Sequence, residues 1–232
     1  NMKIILALLE KDYWELDTKF GVLLNIKDEL GINNIQIDFC DGIFVENKTF
    51  IPEEDIEIKK MKAYNSSFDV EYHIMCKDQL KYFYLAKNLN AKKIIIHIDD
   101  IFDSDNMSLI LNEAKDNNIK IFITAKLDFL LKNKEKILSF LKINRYLGLQ
   151  IMSINKIGLQ GQDFDYRCIE LLSFLKQNFL DDELNIQLDG AINNESIKKI
   201  KNYNVNSKII GSYLVKEIYN DKAFYKNFKE LT

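Results

Sequence analysis

The fold of this chain is indicated first by the stretch Gln36-Ile37-Asp38-Phe39-Cys40-Asp41-Gly42, a short apolar run with polar residues that ends in an acid and a glycine. Other segments repeat this design along the chain. They are Tyr72-His73-Ile74-Met75, Ile95-Ile96-His97, residues 150–155, residues 187–193 and Ile209-Ile210-Gly211-Ser212. Strands of a parallel barrel end in this way at the rim that carries an active site.

Apolar runs and amphipathic segments alternate from one end of the chain to the other. Strands are predicted at residues 3–9, 34–38, 68–73, 93–97, 120–124, 147–153, 184–189 and 207–210. Helices are predicted at residues 14–30, 56–64, 77–89, 107–117, 127–141, 164–179, 194–202 and 215–231, with Asn106 and Asn193 as N-caps. No flexible linker interrupts the pattern. This alternation predicts an α/β fold, a single (β/α)8 TIM barrel over residues 1–232. A doubly wound open sheet is the alternative, because periodicity does not show whether the sheet closes.

Composition excludes several classes of protein. The 232 residues carry 32 Lys and Arg against 35 Asp and Glu, a net charge of -3, which argues against a dedicated nucleic-acid binder. The three cysteines have no metal-type spacing and predict a reducing cytoplasm. The apolar start at residues 4–9 is too short to span a membrane. We therefore expect a cytoplasmic protein that binds neither nucleic acid nor membrane.

Two acids and a histidine at strand ends are candidates for chemistry. Asp38 lies on the second predicted strand and Asp189 on the seventh, so their carboxylates could flank a substrate and move protons at its two faces. The alternative is that each acid caps the following helix. His73 would complete a mixed nitrogen and oxygen set, which suits zinc, iron, manganese or cobalt, although a lone histidine is also a common structural residue.

Glycines cluster at the same predicted rim. Gly158, Gly161, Gly190 and Gly211 follow predicted strands six, seven and eight. Loops after the last strands of such barrels often cradle a phosphate with backbone amides, and glycine permits that close approach. Ordinary turns are the alternative explanation. The clustering favours a phosphate site.

These motifs together resemble the ribulose-phosphate 3-epimerase family. Its His-x-Asp-x-Met-Asp-Gly-x-Phe-Val-Pro-Asn is similar to residues 36–47, and its His-Leu-Met to His73-Ile74-Met75. Its Met-Thr-Val-Asn and Gly-Phe-Gly-Gly-Gln are similar to residues 152–155 and 158–162. Its Asp-Gly-Gly-Ile-Asn is similar to residues 189–193, and its Gly-Ser pair to Gly211-Ser212. Because the matches fall in the same order, the resemblance implies a barrel of the ribulose-phosphate-binding type.

The resemblance implies a carbohydrate-phosphate 3-epimerase, similar to ribulose-5-phosphate 3-epimerase, that moves the C3 proton through an enediolate with help from a metal. Asp38 and Asp189 would be the acid/base pair. The same two aspartates and His73 would bind a divalent ion (zinc, iron, manganese or cobalt), with Gln36 at the position of a fourth ligand. The implied partners are a phosphorylated ketose and further copies of the chain in a homo-oligomer.

The resemblance also assigns the lining of the substrate pocket. Met75 and Met152 would face the enediolate, with Cys40 replacing a third methionine. The phosphate would be bound at Gly158, Gly161, Gly190, Ala191, Gly211 and Ser212.

Several positions depart from the family pattern. Gln36 replaces a histidine ligand, and an amide oxygen is a poorer donor than imidazole to such cations. Ala7 replaces a serine that contacts substrate, Gln160 replaces a glycine of the phosphate loop, and Ala191 replaces the second glycine after the strand-seven aspartate. The loop after Asn155 is about one residue longer than in the family and lacks its proline. These changes leave open a different sugar phosphate and weakened metal binding.

Two alternatives remain at this point. One is another isomerase or lyase on the same barrel, although the Asp-x-Lys-x-x-Asp motif of the decarboxylase and aldolase relatives is absent. The other is a non-catalytic or metal-free barrel with a binding role, which Gln36 favours.

Overall fold

In the part of the chain that the structure describes, eight parallel strands close into a barrel in chain order. The computed structural model describes residues 2–180 and 183–231. The strands are β1 (Lys3–Leu8), β2 (Asn34–Cys40), β3 (Asp69–Met75), β4 (Lys93–His97), β5 (Lys120–Thr124), β6 (Gly148–Met152), β7 (Asn185–Asp189) and β8 (Ser207–Ile210). Ile5 of β1 pairs with Ile209 of β8, so each of these eight strands has a neighbour on both sides. The predicted (β/α)8 TIM barrel is confirmed and the open sheet is excluded. The predicted domain range 1–232 also includes residues 1, 181, 182 and 232, which lie outside the described residues.

Helices follow the strands and cover the barrel. They are α1 (Tyr13–Leu30), α2 (Asp55–Ser67), α3 (Gln79–Asn88), α4 (Asp105–Asp116), α5 (Leu127–Lys132), α6 (Lys134–Ile143), α7 (Arg167–Asn178), α8 (Asn194–Ile200), α9 (Ser212–Val215) and α10 (Asp221–Leu231). Across residues 2–180 and 183–231, none of them combines the length and apolar character needed to cross a membrane.

Three local predictions about these helices are wrong. Residues 127–141 form two helices, because Asn133 leaves the helical conformation at φ −109° and ψ 17°, and its side-chain amide also donates to the Phe129 carbonyl at 2.9 Å. Residues 215–231 also do not form one helix, since a turn separates α9 from α10 and Asn220 Oδ1 accepts from the Ala223 amide. Asn106 is not an N-cap, because α4 begins one residue before it and is preceded by Ser104.

The predicted cap at Asn193 is confirmed. Its side chain accepts from the amides of Glu195 and Ser196, and Ser196 Oγ accepts from the Asn193 amide at 2.9 Å. This reciprocal arrangement gives hydrogen-bond partners to backbone amides at the start of α8 and fixes the short connection between β7 and α8.

Alternation along the strands divides their side chains between the main apolar core and the interior of the barrel. On β2, Ile35, Ile37 and Phe39 pack in the main apolar core, so Gln36 and Asp38 at the intervening positions face into the barrel. Register then sets the neighbours: Asp38 pairs with His73, and Met152 pairs with Asp189. The strand ends therefore bring the predicted site residues to one mouth.

The barrel interior beneath that mouth is polar. Lys93 Nζ lies 2.7 Å from Glu71 Oε2, and both side chains are largely buried. Gln187 accepts from Lys93 and donates to Glu71 Oε1 at 3.1 Å. Buried charges and amides of this kind are tolerated only when they are paired and hydrogen-bonded. The network therefore fixes the side-chain orientations below the site.

Candidate active site

A cavity of about 190 Å³ opens at the carboxyl end of the strands. Except for Gln36, Cys40 and His73, the residues with a predicted role line this cavity, namely Asp38, Met75, Met152, Gly158, Gly161, Asp189, Gly190, Ala191, Gly211 and Ser212. Gln36 and His73 are fully buried beneath it. Cys40 does not line the cavity but packs in one cluster with Met75 and Met152, so the residues with a predicted role lie at one site.

The two aspartates meet at one amide. Gln36 Nε2 donates to Asp38 Oδ1 at 3.0 Å and to Asp189 Oδ2 at 3.2 Å. Asp38 is buried, whereas the side chain of Asp189 is 13% exposed toward the cavity. Among the described residues Gln36 Oε1 has no hydrogen-bond partner. A buried acceptor without a partner costs about 1–3 kcal/mol. The orientation that lets Gln36 Nε2 donate to both aspartates therefore leaves Oε1 with an unsatisfied hydrogen-bonding capacity.

The carboxyl pKa values reflect this crowding. Burial, together with the neighbouring Asp38 charge, raises the pKa of Asp189 to about 7. Burial also raises the pKa of Asp38 well above its ordinary value, against the hydrogen bond from Gln36 that lowers it. Two close carboxyl groups in a buried site disfavour double ionisation, so the pair favours one acid and one base near neutral pH.

A chain of hydrogen bonds leads away from Asp38. His73 Nδ1 lies 3.1 Å from Asp38 Oδ1, His73 Nε2 lies 3.0 Å from His97 Nε2, and His97 Nδ1 lies 3.2 Å from Asp99 Oδ2. Burial lowers the pKa of each imidazole to about 4, so both are neutral at pH 7. Each of these three hydrogen bonds needs one proton, and the two neutral imidazoles supply only one each. The third proton fits on Asp38, because its pKa is raised while that of Asp99 is lowered despite burial.

Gln150 is a site residue to which the sequence alone assigns no role. Its Nε2 donates to Asp189 Oδ2 at 3.1 Å and lies 3.4 Å from His73 Nδ1. Alternation along β6 carries the signal, since Gln150 shares the inward face of Met152. Tyr213 and Lys216 also line the cavity and were missed, because α9 was not expected to begin at Ser212.

Apolar side chains cover the aspartates. Met75, Met152 and Cys40 pack with Val45 and Ile154 in a cluster separate from the main core. Cys40, like Cys76 and Cys168, is buried and free of disulfides in the described chain. This cluster excludes water from one side of the cavity, which strengthens electrostatic interactions inside it.

The glycine loops form the other side. Gly158, Gly161 and Gly190 have φ values of 79°, 73° and 107°, a region that favours glycine. A Cβ on Gly190 would lie 2.8 Å from Ile154 Cγ2, and a Cβ on Gly211 would lie 3.0 Å from Gln160 Nε2. At the predicted phosphate site, the backbone of Gly190 therefore lies close to the Ile154 side chain, and the backbone of Gly211 lies close to the Gln160 side chain.

Comparison with known proteins identifies the family. A sequence model of the ribulose-phosphate 3 epimerase family matches residues 3–215. The chain belongs to this family. Ribulose-phosphate 3-epimerase from Chlamydia pneumoniae is 26% identical over 203 residues, which cover 85% of this chain and 82% of that protein. The Chlamydia muridarum enzyme is 26% identical over 196 residues, which cover 82% and 79%.

A solved structure supports the fold. The 3-keto-L-gulonate-6-phosphate decarboxylase from Vibrio cholerae superposes with a TM-score of 0.64 at 12% identity, covering 100% of this chain and 99% of that one. At this identity the likeness concerns the barrel alone. Membership of the ribulose-phosphate 3-epimerase family supports an enzyme that acts on a sugar phosphate.

The metal that the resemblance implies does not fit this donor set as it is arranged. Asp38, His73, Asp189 and Gln36 converge, but Gln36 turns an N–H group toward both carboxylates. A cation needs lone pairs at that position, and an N–H group offers none. In residues 2–180 and 183–231, no group of three or more His, Cys, Asp or Glu side chains is arranged to hold a metal ion.

Ala191 offers a test of the cavity backbone. It has a φ of 53°, where the family pattern has glycine. The left-handed region costs a residue with a Cβ about 1–2 kcal/mol, partly offset by the greater freedom of unfolded glycine. We expect Ala191→Gly to raise the free energy of unfolding by up to about 1 kcal/mol, measured by urea denaturation. A less stable variant would show that the Ala191 methyl group contributes more than its backbone costs.

Proposed function

We propose that the protein is a ketose-phosphate 3-epimerase in which Asp38 and Asp189 exchange protons with the two faces of C3. The observation that carries this proposal is the placement of both aspartates, from β2 and β7, on one cavity with the glycine loops at its other side. Family membership supports the reaction class.

The proton chemistry uses one acid and one base. Asp189, as carboxylate, takes the proton from C3, and the C–H electron pair forms the C2–C3 double bond as the carbonyl electrons move to the C2 oxygen. Asp38, as carboxylic acid, then delivers its proton to the opposite face of C3, and the carbonyl re-forms. The raised pKa values of both groups suit this division near neutral pH. After one turnover Asp189 is protonated and Asp38 is ionised, which are the protonation states that the reverse reaction requires.

The substrate's phosphate would be held at the glycine side of the cavity. Gly190, Gly211 and Ser212 present backbone there, and Lys216 adds a positive side chain. Fixing the phosphate away from the aspartates leaves the ketose end of the substrate at the two carboxyl groups. Binding energy from the phosphate then orients C3 for proton transfer.

The proposed reaction is tested by exchange of solvent deuterium into C3 of a panel of pentulose and hexulose phosphates. We expect exchange and epimerisation with at least one of them, and much less with the same ketose lacking its phosphate. A folded protein that binds these phosphates but catalyses neither process would overturn the proposal.

Lys216 provides a test of the phosphate side. It is exposed at the cavity, so its attraction for a phosphate is screened by water. We expect Lys216→Ala to weaken inorganic phosphate binding about two- to five-fold, measured by calorimetry. Lys199→Ala, another exposed lysine in the last turn of α8, is the control and should leave binding unchanged. Equal effects of both variants would indicate general charge rather than a site.

A further inference from the structure

We propose that the two glutamines Gln36 and Gln150 take the place of a divalent cation, holding Asp38 and Asp189 with N–H donors. This deepens the proposed function, since it concerns the same two carboxyl groups. It also corrects the expectation that these residues form a metal site with Gln36 as a fourth ligand.

The first part of this amide clamp is Gln36. Its NH₂ group has two hydrogens, and its nitrogen lies 3.0 Å from Asp38 Oδ1 and 3.2 Å from Asp189 Oδ2. Each hydrogen can therefore serve one aspartate. Reversing the amide would place Oε1, an acceptor, against the oxygens of both carboxyl groups. The orphaned Oε1 is thus the less unfavourable arrangement.

The second part is Gln150, whose orientation is set from below. A lysine ammonium can only donate, so Lys93 fixes Gln187 Oε1 as its acceptor. Gln187 Nε2 must then donate to Gln150 Oε1. Gln150 Nε2 is left facing Asp189 Oδ2 at 3.1 Å. The hydrogen bonds from Lys93 through Gln187 therefore orient Gln150 so that its N–H group, and not its oxygen, faces Asp189.

The clamp has a direct consequence for metal affinity. Asp189 Oδ2 receives N–H groups from both glutamines, and Asp38 Oδ1 receives one from Gln36. A cation bound to these oxygens would have to displace the donors and then lie beside their hydrogens. Replacing Gln36 with histidine would instead offer a lone pair on a nitrogen, which suits zinc and manganese.

The experiment measures zinc and manganese affinity by calorimetry on the metal-stripped full chain. We expect weak binding by the wild type and at least about tenfold tighter binding by Gln36→His. Gln162→His is the matched control, because it adds an imidazole to the cavity wall away from the aspartates. It should bind like the wild type. Circular dichroism and melting temperature establish that each variant is folded.

Wild-type measurements decide the proposal even if Gln36→His does not fold. Tight binding of one equivalent of zinc or manganese by the wild type would overturn the clamp. So would C3 exchange that is lost on chelation and restored by metal. If no ketose phosphate undergoes exchange, the proposed function fails, yet wild-type metal affinity still decides the clamp.

Discussion

Asp189→Asn is expected to reduce epimerisation by about 10²–10⁴-fold while the protein stays folded. The amide keeps the shape of the carboxyl group, and its oxygen can still accept from Gln36 and Gln150, the two donors to Asp189. It cannot take a proton from C3. The loss should therefore appear in turnover, measured with a ketose phosphate that the wild type epimerises.

Deuterium exchange from each epimer separately makes the test specific. If each aspartate serves one face of C3, Asp189→Asn should lose exchange of one epimer more strongly than of the other, and Asp38→Asn should show the opposite preference. Asp163→Asn, an exposed acid in the β6–α7 loop, is the control and should behave like the wild type. Wild-type epimerisation by Asp189→Asn would mean that the two-base assignment is wrong.

Lys93→Met is expected to lower the free energy of unfolding by about 3–5 kcal/mol. The side chains of Lys93 and Glu71 are only 18% and 6% exposed, so removing the lysine leaves a buried carboxylate without its partner. Gln187 loses its donor as well. Urea denaturation followed by circular dichroism measures the change.

Two comparisons separate the lost pair from lost packing. The double variant Glu71→Gln with Lys93→Met removes both charges, and we expect it to recover most of the stability. Lys87→Met breaks the more exposed pair with Glu113, with side chains 30% and 35% exposed, and should cost less than about 1 kcal/mol. A double variant as unstable as Lys93→Met would show that packing, and not the buried charge, dominates.

Much of the architecture could be predicted from local pattern. The predicted strands at 93–97, 120–124 and 207–210 have the bounds found in β4, β5 and β8. Apolar runs of this kind are decided by burial on both faces, which the sequence shows directly. Helix ends were predicted less well, because breaks such as that at Asn133 depend on competing hydrogen bonds and not on apolar spacing.

The site was predictable where it depends on strand ends and alternation. Asp38, Met75, Met152 and Asp189 line the cavity because residues that end parallel strands share one rim. Gln150 was missed because alternation along β6 shows only that its side chain faces inward, and its contacts with Asp189 and Gln187 depend on the closed barrel. Lys216 was missed because it lies beyond the strand, in a turn after α9.

The sequence by itself determined that eight strands carry their reactive residues at one end, and which side chains face inward, because both follow from the two-residue period of a strand. Only the tertiary structure decided which of those side chains meet. Gln36 and Asp189 are 153 residues apart, and Lys93 and Gln187 are 94 apart, so their contacts depend on closure and register of the barrel. The direction of an amide and the pKa of a carboxyl group follow from such contacts. Which atom of Gln36 and of Gln150 faces Asp189 is therefore a property of the folded chain and not of the sequence motifs.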